Sequence, residues 1–383
     1  MSAHSSSSEP IPLAGPDLSA LEIDGVLETL RTERLALGPK LEAFERAIAE
    51  YVGVHYAVAV NSGTSALHLI LAALGIGPGD EVITTSFSFI ASANAILLVG
   101  ATPVFVDIDP ETFCIDPALI GAAITTRTKG ILAVDVFGHP ANWPALEAVA
   151  SEHRLHLVED SAESLGSELG GRRCGSFGCA GIFGFYPNKQ ITTGEGGAVV
   201  TDDENLADLC RSMANQGRGD GDEWLKHVRL GYNYRMDELS AALGVAQLSR
   251  IEAFVQARNR VASWYREAFR DVEEVRTPVV PDGGRNSWFV YVVRLADAFA
   301  AEERDQILAW LDREGIGCRN YFAPIHLQPL YRELHGMREG MLPMTEAAGA
   351  RTIALPFFNR LTRDQVHRVR DVLLQAIVEV RRG

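Results

Sequence analysis

A chain of 383 residues is past the size at which one hydrophobic core usually keeps growing, so two domains are expected. Its 47% hydrophobic and 22% charged residues are those of an ordinary globular protein, which excludes disorder and fibrous repeats. Fifty acidic against 35 basic residues give a net charge of -15, and with no Lys/Arg-rich run to override it, nucleic acid and anionic lipid surfaces are excluded as partners.

In chain order, Met1 to Ser8 is polar, has no basic start and leads into no apolar segment, so residues 1–15 read as a flexible tail and not a signal peptide. The longest apolar stretches, such as Ala91 to Ala101, are too short to span a bilayer, and the protein is expected in the cytoplasm. Ser19-x-x-Glu22 forms a capping-box pattern for a first helix, and Pro39 suits the first turn of a second helix running to Tyr51. Seven short apolar or β-branched runs follow: Ala57–Val60, Glu81–Thr85, Thr102–Ile108, Ile131–Phe137, His156–Val158, Gly181–Phe185 and Ala198–Thr201. The first five mostly alternate with helical patterns, which predicts parallel pairing. The last two are joined by a Gly-rich loop too short for a crossover helix, which predicts at least one antiparallel pair.

Between Asp237 and Asp271, Leu239, Leu243, Ala246, Leu248, Ile251, Phe254, Val261 and Trp264 recur at helical spacing, predicting one long helix or two in series that connect the domains. Then come a strand at Trp288–Leu295, a helix from Glu302 to Glu314 stopped by Gly315, and a Pro-punctuated loop from Tyr321 to Leu330. A last helix is opened by Thr362-x-x-Gln365, with Val366, Val369, Leu373, Ile377 and Val380 on one face. The expected organisation is an α/β domain at 16–250 with a mixed, mostly parallel seven-stranded sheet, and a smaller α+β domain at 251–383.

Five scattered cysteines fit reduced thiols better than a disulfide framework. Cys174 and Cys179 lack a second pair at zinc-ligand spacing and read as two packed thiols, so no metal site is expected. Gly75-Ile76-Gly77-Pro78-Gly79 follows a helix rather than a strand, which makes it a turn and not a dinucleotide fingerprint.

Four features converge. Asn61-Ser62-Gly63-Thr64-Ser65 lies between a strand and a helix, where free N–H groups and hydroxyls suit a phosphate. Capping alone also explains any one of these residues. Glu159-Asp160 ends a strand, the edge at which ligands sit in open α/β sheets, and a carboxylate there can hold a cationic ring nitrogen. Lys189 lies in Tyr186-Pro187-Asn188-Lys189-Gln190 at a strand exit, just before Gly194-Glu195-Gly196-Gly197. Phe87-x-Phe89 lies beyond another strand, and a ring there can stack on a planar cofactor. A phosphate cradle, an Asp for a pyridinium, a Lys for an imine and an aromatic lid are the parts pyridoxal phosphate needs.

The order of these parts resembles the fold type I aminotransferases. Asn-Ser-Gly-Thr-Ser-Ala-Leu (61–67), Glu-Asp-Ser-Ala-Glu (159–163), Tyr-Pro-Asn-Lys-Gln-Ile-Thr-Thr-Gly-Glu-Gly-Gly (186–197), Gly-Tyr-Asn-Tyr-Arg-Met (231–236) and Pro-Ile-His-Leu-Gln-Pro (324–329) are similar to the DegT/StrS sugar aminotransferases. The likeness runs from about Ile11 to the C-terminus. It implies that Lys189 attaches pyridoxal phosphate as an imine and moves the substrate proton, with the pyridoxamine form as intermediate. It implies that Asp160 pairs with the pyridinium, Phe89 stacks on the ring, and Gly63 and Thr64 bind the phosphate. Asn233 would reach the phosphate site of a second subunit, giving a homodimer with shared sites.

Three positions depart from the family's commonest pattern. Gly184 stands where many members place a Ser that donates to the phosphate, a loss Ser65 or water could replace. Tyr186 stands where many have His. Glu163 stands where Gln or His is frequent, beside the expected place of the cofactor's ring oxygen. The implied activity is transfer of the amino group of L-glutamate to a nucleotide-linked keto sugar. The first rival is a free keto sugar or keto-cyclitol as acceptor, and the second is a regulatory protein that keeps the fold without catalysis. Arg235, Arg319, Tyr321 and His326 lie outside the cofactor motifs and are candidates for the acceptor, the Arg and His residues as cations for a diphosphate.

Overall fold

The capping box expected at the start forms as read: Ser19 caps the helix α1 (Ala20–Leu30), with the Glu22 carboxylate accepting from the Ser19 N–H at 2.7 Å. These coordinates are a computed structural model that describes residues 9–219 and 226–382. Pro39 opens α2 (Pro39–Val52), which ends at Gly53 in the left-handed region. All seven expected runs become strands of one sheet: β1 (Tyr56–Val60), β2 (Glu81–Thr85), β3 (Thr102–Val106), β4 (Thr128–Val134), β5 (His156–Asp160), β8 (Ala180–Gly184) and β9 (Gly197–Thr201). Between β5 and β8 lie two short strands the sequence did not reveal, β6 (Glu168–Leu169) and β7 (Arg172–Arg173).

The sheet order is β1-β9-β8-β5-β4-β2-β3. β2, β3, β4, β5 and β8 pair in parallel, whereas β9 is antiparallel to both β8 and β1. Only β9 therefore runs against the rest, and the carboxyl ends of β1, β2, β4, β5 and β8 share one edge. Helices α3 (Gly63–Ala73), α4 (Ala91–Leu98), α5 (Pro117–Ala123), α6 (Trp143–His153) and α7 (Glu204–Ala214) accompany these strands. The period-2 alternation of the strands sorts their side chains between two cores. Val58, Val60, Ile182 and Val199 join the core containing α3, while Ala57, Ala59, Phe183, Ala198 and Val200 join Phe44, Ile48 and Phe254 on the opposite side.

The connector is two helices in series, α8 (Glu238–Ser249) and α9 (Ile251–Ala268), interrupted at Arg250, whose guanidinium bonds Asp17 and Glu22. Beyond it are β10 (Val275–Arg276), β11 (Gly284–Arg285), β12 (Tyr291–Leu295), α10 (Ala301–Arg313), α11 (Pro329–His335), α12 (Pro343–Arg351), β13 (Thr352–Leu355) and α13 (Arg363–Arg382). A separate core beyond the sheet gathers Tyr265, Tyr291, Val293, Ile307, Leu311, Ile353, Val366, Val369, Leu373 and Ile377.

Several boundaries shift by a few residues, and three of the shifts have a visible cause. The strand placed at 131–137 stops at Val134, because Phe137 turns into the left-handed region at φ 59 and directs its N–H to the Glu163 carboxylate. The strand placed at 288–295 begins only at Tyr291, since Trp288 also has positive φ, 58. The tail does not extend to residue 15: Ile11 is 1% exposed in the core that holds Tyr265 and Tyr291, its N–H donating to Gly315 O and its carbonyl accepting from Gly317 N–H. Residues 1–8 lie outside those described. Among the described residues no helix is long and apolar enough to cross a membrane.

Candidate active site

The shared carboxyl edge collects the predicted residues by topology alone. Ser62, just past β1, caps α3 through its hydroxyl, which accepts from the Ser65 N–H at 3.0 Å. The first-turn N–H groups of Gly63 and Thr64 have no helix carbonyl behind them, and the helix dipole adds positive potential there. Gly197 makes this approach of strand and helix possible, because a Cβ at 197 would collide with Ser62 C and Gly63 N. Asp160 ends β5, Phe89 follows β2, and Lys189 follows β8. All three line one pocket with Gly63, Thr64, Ser92, Glu163, Gly184, Tyr186 and Glu195.

Asp160 is 4% exposed. Ser92 Oγ donates to its Oδ2 at 2.7 Å and the Ala162 N–H to its Oδ1 at 3.2 Å, so the carboxylate has a fixed aim. Burial pushes its pKa above the ordinary carboxylate range, against the pull of Ser92, the Ala162 N–H and Lys189. A cation beside it would therefore be strongly favoured. The Lys189 amine, with 14% side-chain exposure, lies 3.4 Å from Glu163 Oε1 and 3.9 Å from the centre of the Phe289 ring. Glu163 Oε2 accepts the Phe137 N–H at 2.9 Å, and burial raises this carboxyl too. Phe89 stands at the pocket with 62% of its surface exposed, a free aromatic face that a buried core position would not leave.

Several expected site residues are placed differently. The Ser65 hydroxyl donates to Asn61 Oδ1 at 2.7 Å and its N–H is spent on Ser62, so it does not replace the donor absent at Gly184. His326 is not an exposed cation for a diphosphate: it is fully buried, with Nδ1 2.7 Å from Ser86 Oγ and Nε2 3.1 Å from Glu346 Oε1. Burial and two partners make it a tie between the loop at 324–329 and the end of β2. Arg235 is not brought to the Lys189 pocket of its own chain; it donates to Asn215 Oδ1 at 3.1 Å and lines a separate cleft with Leu37, Gly38 and Arg211. Asn233 is exposed, held beside β1 by its carbonyl, which accepts from Asn61 Nδ2 at 3.4 Å. Tyr321 stacks on Phe289 and Phe137, and its phenol pKa is raised by burial and by Glu163. Arg319 is exposed on the adjoining strand-like bridge to Ala354, its guanidinium donating to Cys318 O at 2.7 Å.

Glu159, though adjacent to Asp160, points to the other face of β5 and accepts the N–H groups of Gly175 and Phe177 at 2.6 and 2.8 Å. With Asp135 and Cys174 it forms a buried group of metal-capable atoms. Asp135 already accepts from Ala141 N–H, Trp143 Nε1 and Ser164 Oγ, so these carboxylates are occupied by protein donors. Sequence reasoning missed Ser92 and Phe289. Ser92 sits in the first turn of α4, three residues past Phe89 and close to it in sequence, whereas nothing local in the sequence links Phe289 to Lys189.

A fixed acid, an amine, a helix N-terminus and a free aromatic face at the carboxyl edge of a mostly parallel sheet fit a planar aldehyde carrying a phosphate and a basic ring nitrogen. That arrangement is the one expected of fold type I transferases. Comparison with known proteins gives the same class, since residues 16–374 match the model of the DegT/DnrJ/EryC1/StrS aminotransferase family. The chain belongs to this family and is an aminotransferase. It is 41% identical over 370 residues to the GDP-perosamine synthase of Caulobacter vibrioides, covering 96% of this chain and 98% of that protein. Among solved structures, the PLP form of the putative sugar aminotransferase Spr1654 from Streptococcus pneumoniae superposes with a TM-score of 0.93 at 30% identity, over 97% and 99% of the two chains. DesI, solved in the presence of its TDP-sugar product, superposes at 0.89 with 33% identity, over 98% and 95%.

Proposed function

We propose that the protein is a pyridoxal-phosphate-dependent aminotransferase that moves the amino group of L-glutamate to a keto sugar carried on a nucleoside diphosphate. The observation that carries this reading is the meeting of Lys189, Asp160 and the α3 N-terminus in one pocket. When bound, pyridoxal phosphate supplies an electron sink for the carbon that loses its proton. The residues supply the rest. Gly63 and Thr64 N–H groups would hold the phosphate, Phe89 would cover the ring, and Asp160, aimed by Ser92, would hold the proton of the ring nitrogen. Lys189 Nζ would hold the cofactor as an imine and, once freed as an amine, would take the Cα proton of the amino donor and deliver it to the cofactor carbon that bears the imine nitrogen. The names of the relatives, one a GDP-perosamine synthase and one solved in the presence of its TDP-sugar product, favour a nucleotide sugar over a free keto-cyclitol. We assign Arg319 and Tyr321 to that substrate, Tyr321 stacking on the Phe289 ring that faces the Lys189 amine.

We further propose a homodimer with shared sites. Leu21, Leu27 and Leu30 of α1 expose 52, 44 and 52% of their surface, more apolar area than a lone helix face usually leaves to water. Leu35 and Leu37 continue the strip, and the Glu238 N–H donates to Leu35 O, which joins the strip to the segment carrying Asn233. A partner covering it would receive Asn233 near its own phosphate site. A panel of nucleotide-linked and free keto acceptors, read by mass spectrometry with L-glutamate as donor, tests the substrate. Amination of a GDP- or TDP-linked keto sugar is expected; efficient amination of a free keto-cyclitol with no nucleotide sugar accepted would overturn the reading.

A further inference from the structure

Arg258 of α9 is 4% exposed, and among the described residues no carboxylate lies within ion-pair distance of it. Burial pulls its pKa down to about 10, against a weaker opposing pull from the Asp17 charge, and its Nε has no partner. A buried guanidinium without a counterion is costly, so its remaining bonds identify what the position does. Nη1 donates to Trp288 O at 2.8 Å and to Phe289 O at 3.2 Å, and Nη2 to Lys189 O at 3.4 Å. The positive φ of Trp288 brings successive carbonyls toward the same cation, and the Trp288 ring is fixed by Nε1 donating to Asn259 Oδ1 at 3.1 Å. One planar fork thus joins the loop bearing Lys189 to the segment bearing Phe289, whose ring faces the Lys189 amine at 3.9 Å.

We propose that Arg258 is a positioning residue: by tying the Lys189 backbone to the Trp288–Phe289 backbone it holds the Lys189 amine between the Phe289 ring and Glu163. The proposal rests on Lys189 being the residue that binds the cofactor. It adds that the amine's aim is set from α9, on the connector side, and not only by the strand that precedes it. Lys cannot reproduce the fork, because one ammonium cannot span three carbonyls from a flexible stem.

The test uses Arg258→Met, Arg258→Lys and Phe289→Leu, each loaded with pyridoxal phosphate. Three quantities are read: the rate of covalent attachment to cofactor-free protein, the visible circular dichroism per bound cofactor, and the split of kcat against KM. Misplacement of a reacting group by about an ångström costs up to about a hundredfold. Attachment and kcat should therefore fall roughly tenfold or more in Arg258→Met and Phe289→Leu, with the visible dichroism at least halved and KM for the sugar nucleotide within about threefold. Arg258→Lys should fall between these and wild type. An Arg258→Met protein that is less heat-stable but keeps wild-type dichroism and attachment rate would reduce Arg258 to a structural role and overturn the proposal. If Arg258→Met does not fold, wild-type dichroism in both Arg258→Lys and Phe289→Leu would overturn it equally. Failure of borohydride to label Lys189 in the wild type would instead refute the underlying assignment of Lys189.

Discussion

Asp160 and Glu163 are both raised by burial while Lys189 sits between them and the Phe289 ring, so the site without cofactor carries charges it does not fully compensate. A carboxyl whose folded pKa is raised contributes stability that is complete below its unfolded value and is lost as pH rises through the folded one. Cofactor-free protein should therefore lose stability relative to Asp160→Asn as pH rises from the ordinary carboxylate range, and adding pyridoxal phosphate should narrow the difference. Thermal melts of the two proteins across pH check this, and parallel curves would contradict it. At His326 the expectation is structural: His326→Ala strands Ser86 and Glu346 and should cost about 1–3 kcal/mol of stability while leaving KM for the sugar nucleotide within about threefold. Lys189, Asp160, Gly63, Thr64 and Phe89 were legible in the sequence because each follows a strand with a recognisable apolar run. The placement of Ser65, His326 and Arg235 was not legible, because a polar residue near a motif looks the same whether its hydrogen bonds are spent on neighbours or free. Only the partners Asn61, Ser86 and Asn215, one of them 240 residues away, decide it.

At the scale of elements, the seven strands and most helices followed from alternation and capping, since burial on two faces and unsatisfied helix ends impose patterns within a few residues. What stayed hidden were β6, β7, β10, β11, α11, α12 and β13; the short strands among them take their form from pairing, β13 with β12, β10 with β12, and β6 with both β7 and β11. The contact of β9 with the start of α3 is the element-level feature most tied to function. Gly197→Ala forces Ser62 and Gly63 away from the sheet and moves the N–H groups of the α3 first turn. Its cofactor affinity should drop by about tenfold or more, as for loss of charge-assisted phosphate contacts. Equilibrium titration with pyridoxal phosphate reads this directly, and unchanged affinity would show that the α3 terminus does not bind the phosphate. At Gly184 the opposite holds, because a Cβ there meets only Ala162 Cβ at 3.6 Å. Gly184→Ser should be tolerated and should tighten cofactor binding in the same titration.

For the whole molecule, the exposed apolar strip of α1 and the outward placement of Asn233 on the adjoining segment predict that activity belongs to a pair of chains. Mixing inactive Lys189→Ala with inactive Asn233→Ala should restore part of the activity, since a hybrid dimer carries one intact site. No recovery despite demonstrated subunit exchange would confine each site to a single chain. The sequence indicated such sharing only through family likeness, because an interface between copies leaves no periodicity that a core does not also leave. The central claim is that Lys189, one of four lysines in the chain, carries the cofactor in the pocket it forms with Asp160 and the start of α3. Borohydride reduction of the pyridoxal-phosphate-loaded protein, followed by peptide mapping, should place the pyridoxyl group on Lys189, whereas a label on Lys40, Lys129 or Lys226 would contradict the account.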